Sequence, residues 1–341
     1  MSIPERPKEE PSLAPEVLRA LTRPGDPEDK VKELSKVLAE LPEPLRTQLL
    51  EFYLDRAERA RSIHTKLLYA YVALSLARAG LSDLGELAAS RGRYRAWKRG
   101  LVLSGLSEVS VRTYIRSVKT MLRWLLGELP AWLKAERSST WDLYRTGEII
   151  RDKVLKPGEL EALMVVARHP RDRAILAILA ETGVRIGELL SLKLKDIERL
   201  PDGSFRLMIR GKTGPRAVVV IDAAPALAEW LRHRPPVGQG GEGALFTTIK
   251  APYRPLSPHA WRVHLRNLAK RAGLSRPVHP HMLRHTRMTE LARVLTEHEL
   301  KVVAGWSRDS RMAAVYVHLS GRDAEMALRK AHELLRTQRP G

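Results

Sequence analysis

Residues 279–286 read His279-Pro280-His281-Met282-Leu283-Arg284-His285-Thr286. Proline is favoured in the first turn of a helix, so the stretch predicts a helix from about Pro280 to about Leu295. Side chains three or four apart share one helix face, which places His281 beside Arg284 and beside His285. The two histidines could form a metal pair. However, the glutamate of the metalloprotease pattern is missing and no third ligand is evident, so a metal pair is disfavoured.

Three other segments of the C-terminal half combine glycine with polar residues. They are Glu181-Thr182-Gly183-Val184-Arg185-Ile186-Gly187-Glu188, the turn Gly211-Lys212-Thr213-Gly214-Pro215, and Ala304-Gly305-Trp306 followed by Tyr316. Each segment has an ordinary explanation when taken singly. Thr182-Gly183 fits a helix C-cap, and Tyr316 fits a packed aromatic with a solvated hydroxyl.

Taken together and in this order, the four segments resemble the tyrosine recombinase (phage integrase) family, and most closely its archaeal and Xer-like members. The match includes the His-x-x-Arg spacing of His281 and Arg284 and the distance along the chain from Trp306 to Tyr316. It covers roughly residues 155–340, and more loosely the helical region at 60–130, which looks like the family's core-binding domain.

The resemblance implies a role for each residue of the site. Tyr316 would attack the phosphodiester, and Arg185 and Arg284 would clamp its non-bridging oxygens, for which planar guanidinium groups are well suited. A phenol is a poor nucleophile at neutral pH, so it needs a base or a cationic surround. His281 titrates in the range needed to accept the proton and return it.

The leaving 5′-oxygen needs an acid, which the resemblance assigns to Lys212 in the hairpin turn, with Lys193 and Lys195 as rivals. Glu188 would hold the first arginine in position; the alternative is an ordinary exposed helix charge. Trp306 occupies a position that is His or Trp in the family. Because its indole does not titrate near neutrality, Trp306 can support the phosphate but cannot shuttle protons.

The same half of the chain predicts a mainly α-helical domain with a small antiparallel sheet. Two strands, at 205–210 and 216–221, flank the Gly211–Pro215 turn and indicate a β-hairpin. Helical patterns lie at about 157–168, 171–181, 225–234, 258–272, 280–295, 297–304, 308–318 and 322–336. The last of them is amphipathic from Ala324 to about Leu335, so it could dock on a neighbouring protomer or pack on its own domain.

The N-terminal half predicts a proline-rich disordered arm at residues 1–29 and a helical DNA-binding domain with a linker at 30–150. The catalytic domain would occupy residues 151–341, and the two domains would form a clamp on DNA. A helix from about Glu108 to Leu126, with Ser107 as N-cap and Gly127 at its end, carries a basic stripe beside its apolar one. The stripe consists of Arg112, Arg116, Lys119 and Arg123. It fits phosphate contacts, or alternatively a solvated face.

The composition narrows the class of protein. The 59 Lys and Arg residues against 39 Asp and Glu leave a net charge of +20, which favours a polyanionic partner such as double-stranded DNA. A generally basic surface is the alternative. The chain has no cysteine, which excludes disulfides, thiol catalysis and Cys-based zinc sites. Without a long apolar run or a signal-peptide pattern, a soluble, cytoplasmic protein is expected.

The sequence therefore predicts a site-specific DNA recombinase that forms a 3′-phosphotyrosyl intermediate. The resemblance implies four protomers on two DNA partners, with strands exchanged through a Holliday junction, and we expect a monomer or weak oligomer when the protein is free. Side chains supply every group that the transfer needs, so neither a metal ion nor a nucleotide cofactor is expected. The alternatives are a type IB topoisomerase-like relaxing enzyme and a non-catalytic DNA-binding protein that keeps the fold.

Overall fold

The computed structural model describes residues 15–23, 26–55, 62–145, 148–211, 213–236, 243–320, 328–329 and 332. The chain divides into two compact units, Met1–Asp142 and Leu143–Gly341. Each unit has its own cluster of buried apolar side chains. Within the described residues, no helix combines the length and the apolar composition needed to cross a bilayer.

The first unit is α-helical. Its elements are α1 (Pro15–Leu21), α2 (Glu28–Ala39), α3 (Glu43–Asp55), α4 (Ile63–Arg78), α5 (Leu84–Ala89), α6 (Arg91–Leu103), α7 (Glu108–Leu126) and α8 (Ala131–Lys134), with α9 (Trp141–Arg145) at the boundary between the units. Helix α4 packs against α2 and α7, and the core between the helices includes Phe52, Tyr53 and Trp97.

Helix α7 has the bounds that its caps predict. The Ser107 hydroxyl accepts a hydrogen bond from the Ser110 N–H, and Gly127 ends the helix with a φ of 72°. A side chain at Gly127 would be strained at that positive φ. Local signals at both ends are therefore enough to place this helix.

The prediction of a disordered arm over residues 1–29 is wrong for Pro15–Leu21, which is helical. Val17 and Leu21 lie one turn apart and face the core, and Leu21 is only 2% exposed. The Lys66 ammonium also donates to the Leu21 carbonyl. The prolines pointed to disorder, but the apolar side chains between them bury enough surface to order this segment. Residues 1–14 lie outside the described residues.

The second unit surrounds a small sheet with helices. Its helices are α10 (Glu148–Arg151), α11 (Glu159–Val166), α12 (Pro170–Thr182), α13 (Ile186–Leu190), α14 (Ala224–His233), α15 (Pro258–Arg271), α16 (Pro280–Leu291), α17 (Glu297–Ala304) and α18 (Met312–Leu319). Helix α12 lies at the centre and packs against α14 and α16. The predicted fold class, mainly α with a small antiparallel sheet, is confirmed.

The sheet is antiparallel in the order β1 (Ile197–Arg199), β2 (Phe205–Gly211) and β3 (Gly214–Val220). The hairpin of β2 and β3 follows the prediction, and its pairing runs out to Gly211 opposite Gly214. Strand β1 was not predicted, because three residues are too few to show an alternation of apolar and polar side chains. Lys212, in the turn, lies outside the described residues, as does most of the helix predicted at 322–336.

Candidate active site

The second unit has an open cleft of about 780 Å³ where α13, the hairpin, α16 and the turn after α17 meet. Arg185, Glu188, His281 and Trp306 line it, so segments far apart in sequence converge as the prediction requires. Arg284 and Tyr316 pack directly against Trp306. Lys212 is not described, although its neighbours Gly211 and Thr213 line the cleft.

Arg185 stands at the start of α13, directly after the end of α12. Gly183 caps α12 with a φ of 63° and lies so close to α16 that a β-carbon there would be 2.5 Å from Cε of Met288. The Arg185 backbone then enters α13 as its N-cap, and Glu188 accepts a hydrogen bond from the Arg185 N–H at 3.2 Å. The guanidinium also donates to Glu188, at 2.9 Å. The Arg185 side chain remains 36% exposed in the cleft.

Arg284 is the most deeply buried of the arginines described at this site, with 5% of its surface exposed. Its guanidinium donates to the Gly183 carbonyl at 2.7 Å and to the Ala304 carbonyl at 2.8 Å. Burial, and next the charge of Arg185, lower the pKa of Arg284 to about 10. The side chain is therefore still cationic at neutral pH, and it ties together the turns that precede Arg185 and Trp306.

His281 and His285 follow one another on α16, with ring centroids 6.4 Å apart. Loss of surrounding water, followed by the charges of Arg284 and Arg185, lowers the pKa of His281. Burial and then His281 lower the pKa of His285 to about 4. Both imidazoles are therefore neutral near pH 7.

Tyr316, on α18, is 1% exposed. Its ring stacks on Trp306 with centroids 5.4 Å apart and planes 17° apart. Its hydroxyl makes a 2.5 Å hydrogen bond with Nδ1 of His285. The sequence paired the tyrosine with His281, whereas its hydroxyl bonds to His285, one helical turn later.

Sequence reasoning missed Arg216, which is 12% exposed in its side chain and forms an ion pair with Glu188 at 2.8 Å. A signal for it existed. Alternation along β3 places Arg216 on the same face as Val218 and Val220, which is the inner face of the sheet. A charge on a buried face needs a partner, and here Glu188 provides it.

The basic stripe of α7 is not a uniform exposed surface. Arg112 is 8% exposed and pairs with Glu108 and Asp142. These ion pairs use its charge within the unit, so we no longer expect Arg112 to bind phosphate. Arg116 and Lys119 donate to backbone carbonyls of residues 134–138. Arg116 and Arg123 are exposed.

No group of three or more His, Asp or Glu side chains placed to hold a metal ion occurs among the residues that the structure describes. The carboxylate nearest the site, Glu188, is committed to Arg185 and Arg216. Burial alone would raise the pKa of Glu188, but the hydrogen bond and charge of Arg216, and then the contacts with Arg185, hold the pKa below its ordinary value.

Comparison with known protein families gives a match to the phage integrase family over residues 153–322. The tyrosine recombinase XerD of Mycobacterium tuberculosis is 38% identical over 125 residues, which are 36% of this chain and 39% of that protein. That match thus spans about two fifths of the relative's length. The tyrosine recombinase XerC of Vibrio parahaemolyticus is 25% identical over 306 residues, covering 86% of this chain and 94% of that protein.

Among solved structures, the XerH site-specific recombinase bound to its difH substrate in a pre-cleavage complex has a similar fold. The TM-score is 0.61 at 19% identity, and the alignment covers 92% of this chain and 93% of XerH. At this level of identity the likeness concerns the fold, and it extends over both units of the chain.

Proposed function

Because the chain belongs to the phage integrase family of tyrosine recombinases, we propose that it is a site-specific DNA recombinase that cuts and rejoins strands through a 3′-phosphotyrosyl bond at Tyr316. The observation that carries the proposal is that Arg185 and His281 line one cleft of the second unit while Arg284 and Tyr316 pack against Trp306, which lines the same cleft. A packed aromatic or a helix cap would not require this convergence.

In the proposed reaction the two arginines bind the non-bridging oxygens of the scissile phosphate. Arg185 is accessible in the cleft. Arg284 is rigidly held by two carbonyls, and its guanidinium has five N–H donors, so donors remain for the phosphate. Preorganised cations of this kind stabilise the negative charge that develops in the transition state. The buried surroundings of Arg284 strengthen that effect, because water screens its charge less there.

The nucleophile must leave its present partner in order to act. The Tyr316 hydroxyl is buried and bonded to His285, so attack requires exchange of this hydrogen bond for contact with phosphorus. The pKa of His281 is lowered, so its imidazole is neutral near pH 7. A neutral imidazole can accept the proton that the Tyr316 hydroxyl loses when it attacks the phosphate. Lys212 is proposed as the acid for the leaving 5′-oxygen, and Trp306 as the side chain that supports Tyr316.

We assign DNA binding to the first unit and strand transfer to the second. The exposed Arg116 and Arg123 of α7 are proposed to contact phosphates of double-stranded DNA. The family resemblance supports assembly of four copies on two DNA partners, and a monomer or weak oligomer in the absence of DNA. The net charge of +20 fits such a partner.

Trapping of the covalent intermediate tests the proposal. Purified protein is incubated with DNA fragments that carry nicks. The protein is then denatured and digested to locate the peptide that is bound to DNA, and the attached DNA is sequenced. Recovery of one recurring DNA sequence on the peptide that contains Tyr316 supports the recombinase. Relaxation of any supercoiled plasmid without strand exchange would instead favour the topoisomerase-like alternative, and binding without any adduct would favour the non-catalytic one. Tyr316→Phe keeps the ring and is the matched control.

A further inference from the structure

We propose that Arg216 is a positioning residue of this site: through Glu188 it keeps Arg185 available for phosphate and holds the hairpin and the Trp306 turn in register. This inference rests on the proposed recombinase function. Arg216 is not placed in contact with DNA. It acts from beneath the cleft, through a carboxylate that two arginines share.

The first observation is the sharing of Glu188. One carboxylate accepts from the Arg216 guanidinium at 2.8 Å, from the Arg185 guanidinium at 2.9 Å and from the Arg185 backbone at 3.2 Å. Glu188 is 8% exposed, so its charge needs cationic partners within the protein. Arg216 is more deeply buried than Arg185, at 12% against 36% of the side chain exposed, and is therefore the partner that stays when DNA enters.

The second observation is the close packing of two glycines on this ion pair. A β-carbon at Gly211 would lie 2.8 Å from Oε1 of Glu188 and 3.2 Å from Nη1 of Arg216. A β-carbon at Gly305 would lie 2.5 Å from Nη1 of Arg216. The backbone beside the Lys212 turn thus packs against both side chains of the pair, and the backbone before Trp306 packs against Arg216.

A third contact joins these segments directly. The Gly305 carbonyl accepts from Thr213 at 3.3 Å and from the Arg185 guanidinium at 3.5 Å. Three pieces of the site meet at the Glu188–Arg216 pair: the start of α13, the end of β2 with its turn, and the residue before Trp306. A shift of Arg216 would therefore move all three.

Removal of Arg216 has a specific consequence for Arg185. The buried Glu188 carboxylate would keep Arg185 as its cationic partner among the contacts described, and the two would pair more tightly. Arg185 would then be less available to the phosphate. If this is correct, neutralising Glu188 in the same chain should release Arg185 and restore part of the activity, whereas a general loss of packing would only be made worse by a second change.

The test uses full-length protein and the DNA sequence recovered from the covalent complex. Single-turnover cleavage and DNA affinity are measured for Arg216→Met, Arg216→Lys, Glu188→Gln and the double variant Glu188→Gln/Arg216→Met. Arg206→Met is the matched control, because Arg206 forms an exposed ion pair with Glu198 on the same sheet. Hydrogen exchange over residues 205–220 and 304–306 is measured in parallel.

Loss of one positioned donor typically costs on the order of 100-fold in rate, so Arg216→Met should cleave roughly 100-fold more slowly with affinity changed by less than about 3-fold. The double variant should cleave at least about tenfold faster than Arg216→Met, by the logic of a double-mutant cycle. Arg216→Lys should lie between wild type and Arg216→Met, and Arg206→Met should match wild type.

The proposal would be overturned if Arg216→Met cleaved at the wild-type rate, or if the double variant cleaved no faster than Arg216→Met. If the wild-type protein itself forms no adduct, the recombinase function fails instead, and hydrogen exchange still decides the positioning role. Faster exchange at both 205–220 and 304–306 in Arg216→Met, but not in Arg206→Met, is the result expected. Unchanged exchange at both segments would contradict it.

Discussion

Replacing His285 with glutamine should abolish the contribution of this histidine to the loss of stability of the second unit between pH 7 and pH 4. Burial, followed by His281, lowers the pKa of His285 from 6.5 to about 4 in the folded protein. As the pH falls, the unfolded chain takes up a proton at this histidine near pH 6.5, whereas the folded protein does so only near pH 4. The group thus favours the folded state above pH 6.5, and that contribution is lost as the pH falls.

The size of the effect follows from linkage. A difference between 6.5 and about 4 corresponds to about 3 kcal/mol, almost all of it lost by pH 4. His285 is only partly accessible, so solvent screens little of this penalty. Glutamine cannot titrate but can still hydrogen-bond to the Tyr316 hydroxyl, so His285→Gln removes the proton uptake without leaving that buried hydroxyl unpaired.

The measurement is urea denaturation at pH 7, 6, 5 and 4, read by hydrogen exchange of the peptide that covers α16. The other histidines are common to both proteins, so the difference between wild type and His285→Gln isolates His285. His259→Gln, at an exposed position on α15, serves as the matched control and should behave as wild type does. A difference between wild type and His285→Gln that changes by less than about 1 kcal/mol from pH 7 to pH 4 would refute the reasoning.

Three further outcomes are expected. DNA affinity should fall steeply with salt, with a log–log slope of several units, and charge reversal of Arg116 and Arg123 should weaken binding more than Arg112→Ala does. Unchanged affinity after the charge reversal would show that the stripe is a solvated face. Lys212→Ala should cleave an ordinary phosphodiester slowly but regain most of its rate on a substrate with sulfur at the bridging 5′ position, because a thiolate leaves without an acid. The same substrate should not restore cleavage by Arg185→Ala. If the sulfur substrate leaves the Lys212→Ala defect undiminished, the acid is Lys193 or Lys195 instead. Cleavage should proceed in EDTA without nucleotide, since cationic side chains supply the transition-state charge, and loss of cleavage in EDTA with recovery in Mg²⁺ would contradict this.

Much of the second unit could be predicted because its signals are local. Helix caps, hairpin glycines and apolar spacing depend on residues a few positions apart, so they can be recognised from the sequence alone. The bounds of α17 and the pairing of β2 with β3 follow from such signals, as do the bounds of α7 in the first unit. The order of the four segments, and the types of side chain within them, also sufficed to recognise the family.

Partners of charged and buried side chains were decided only by tertiary packing. The sequence shows Arg112 in a basic stripe, yet Asp142, thirty residues later, takes up its charge. It shows Tyr316 without revealing that His285 holds its hydroxyl, and it shows Arg216 as one of many arginines. The physical reason is that burying a charge or a hydroxyl is costly unless a partner lies within hydrogen-bond reach. Which partner does so depends on how distant segments pack, and no short-range pattern records that.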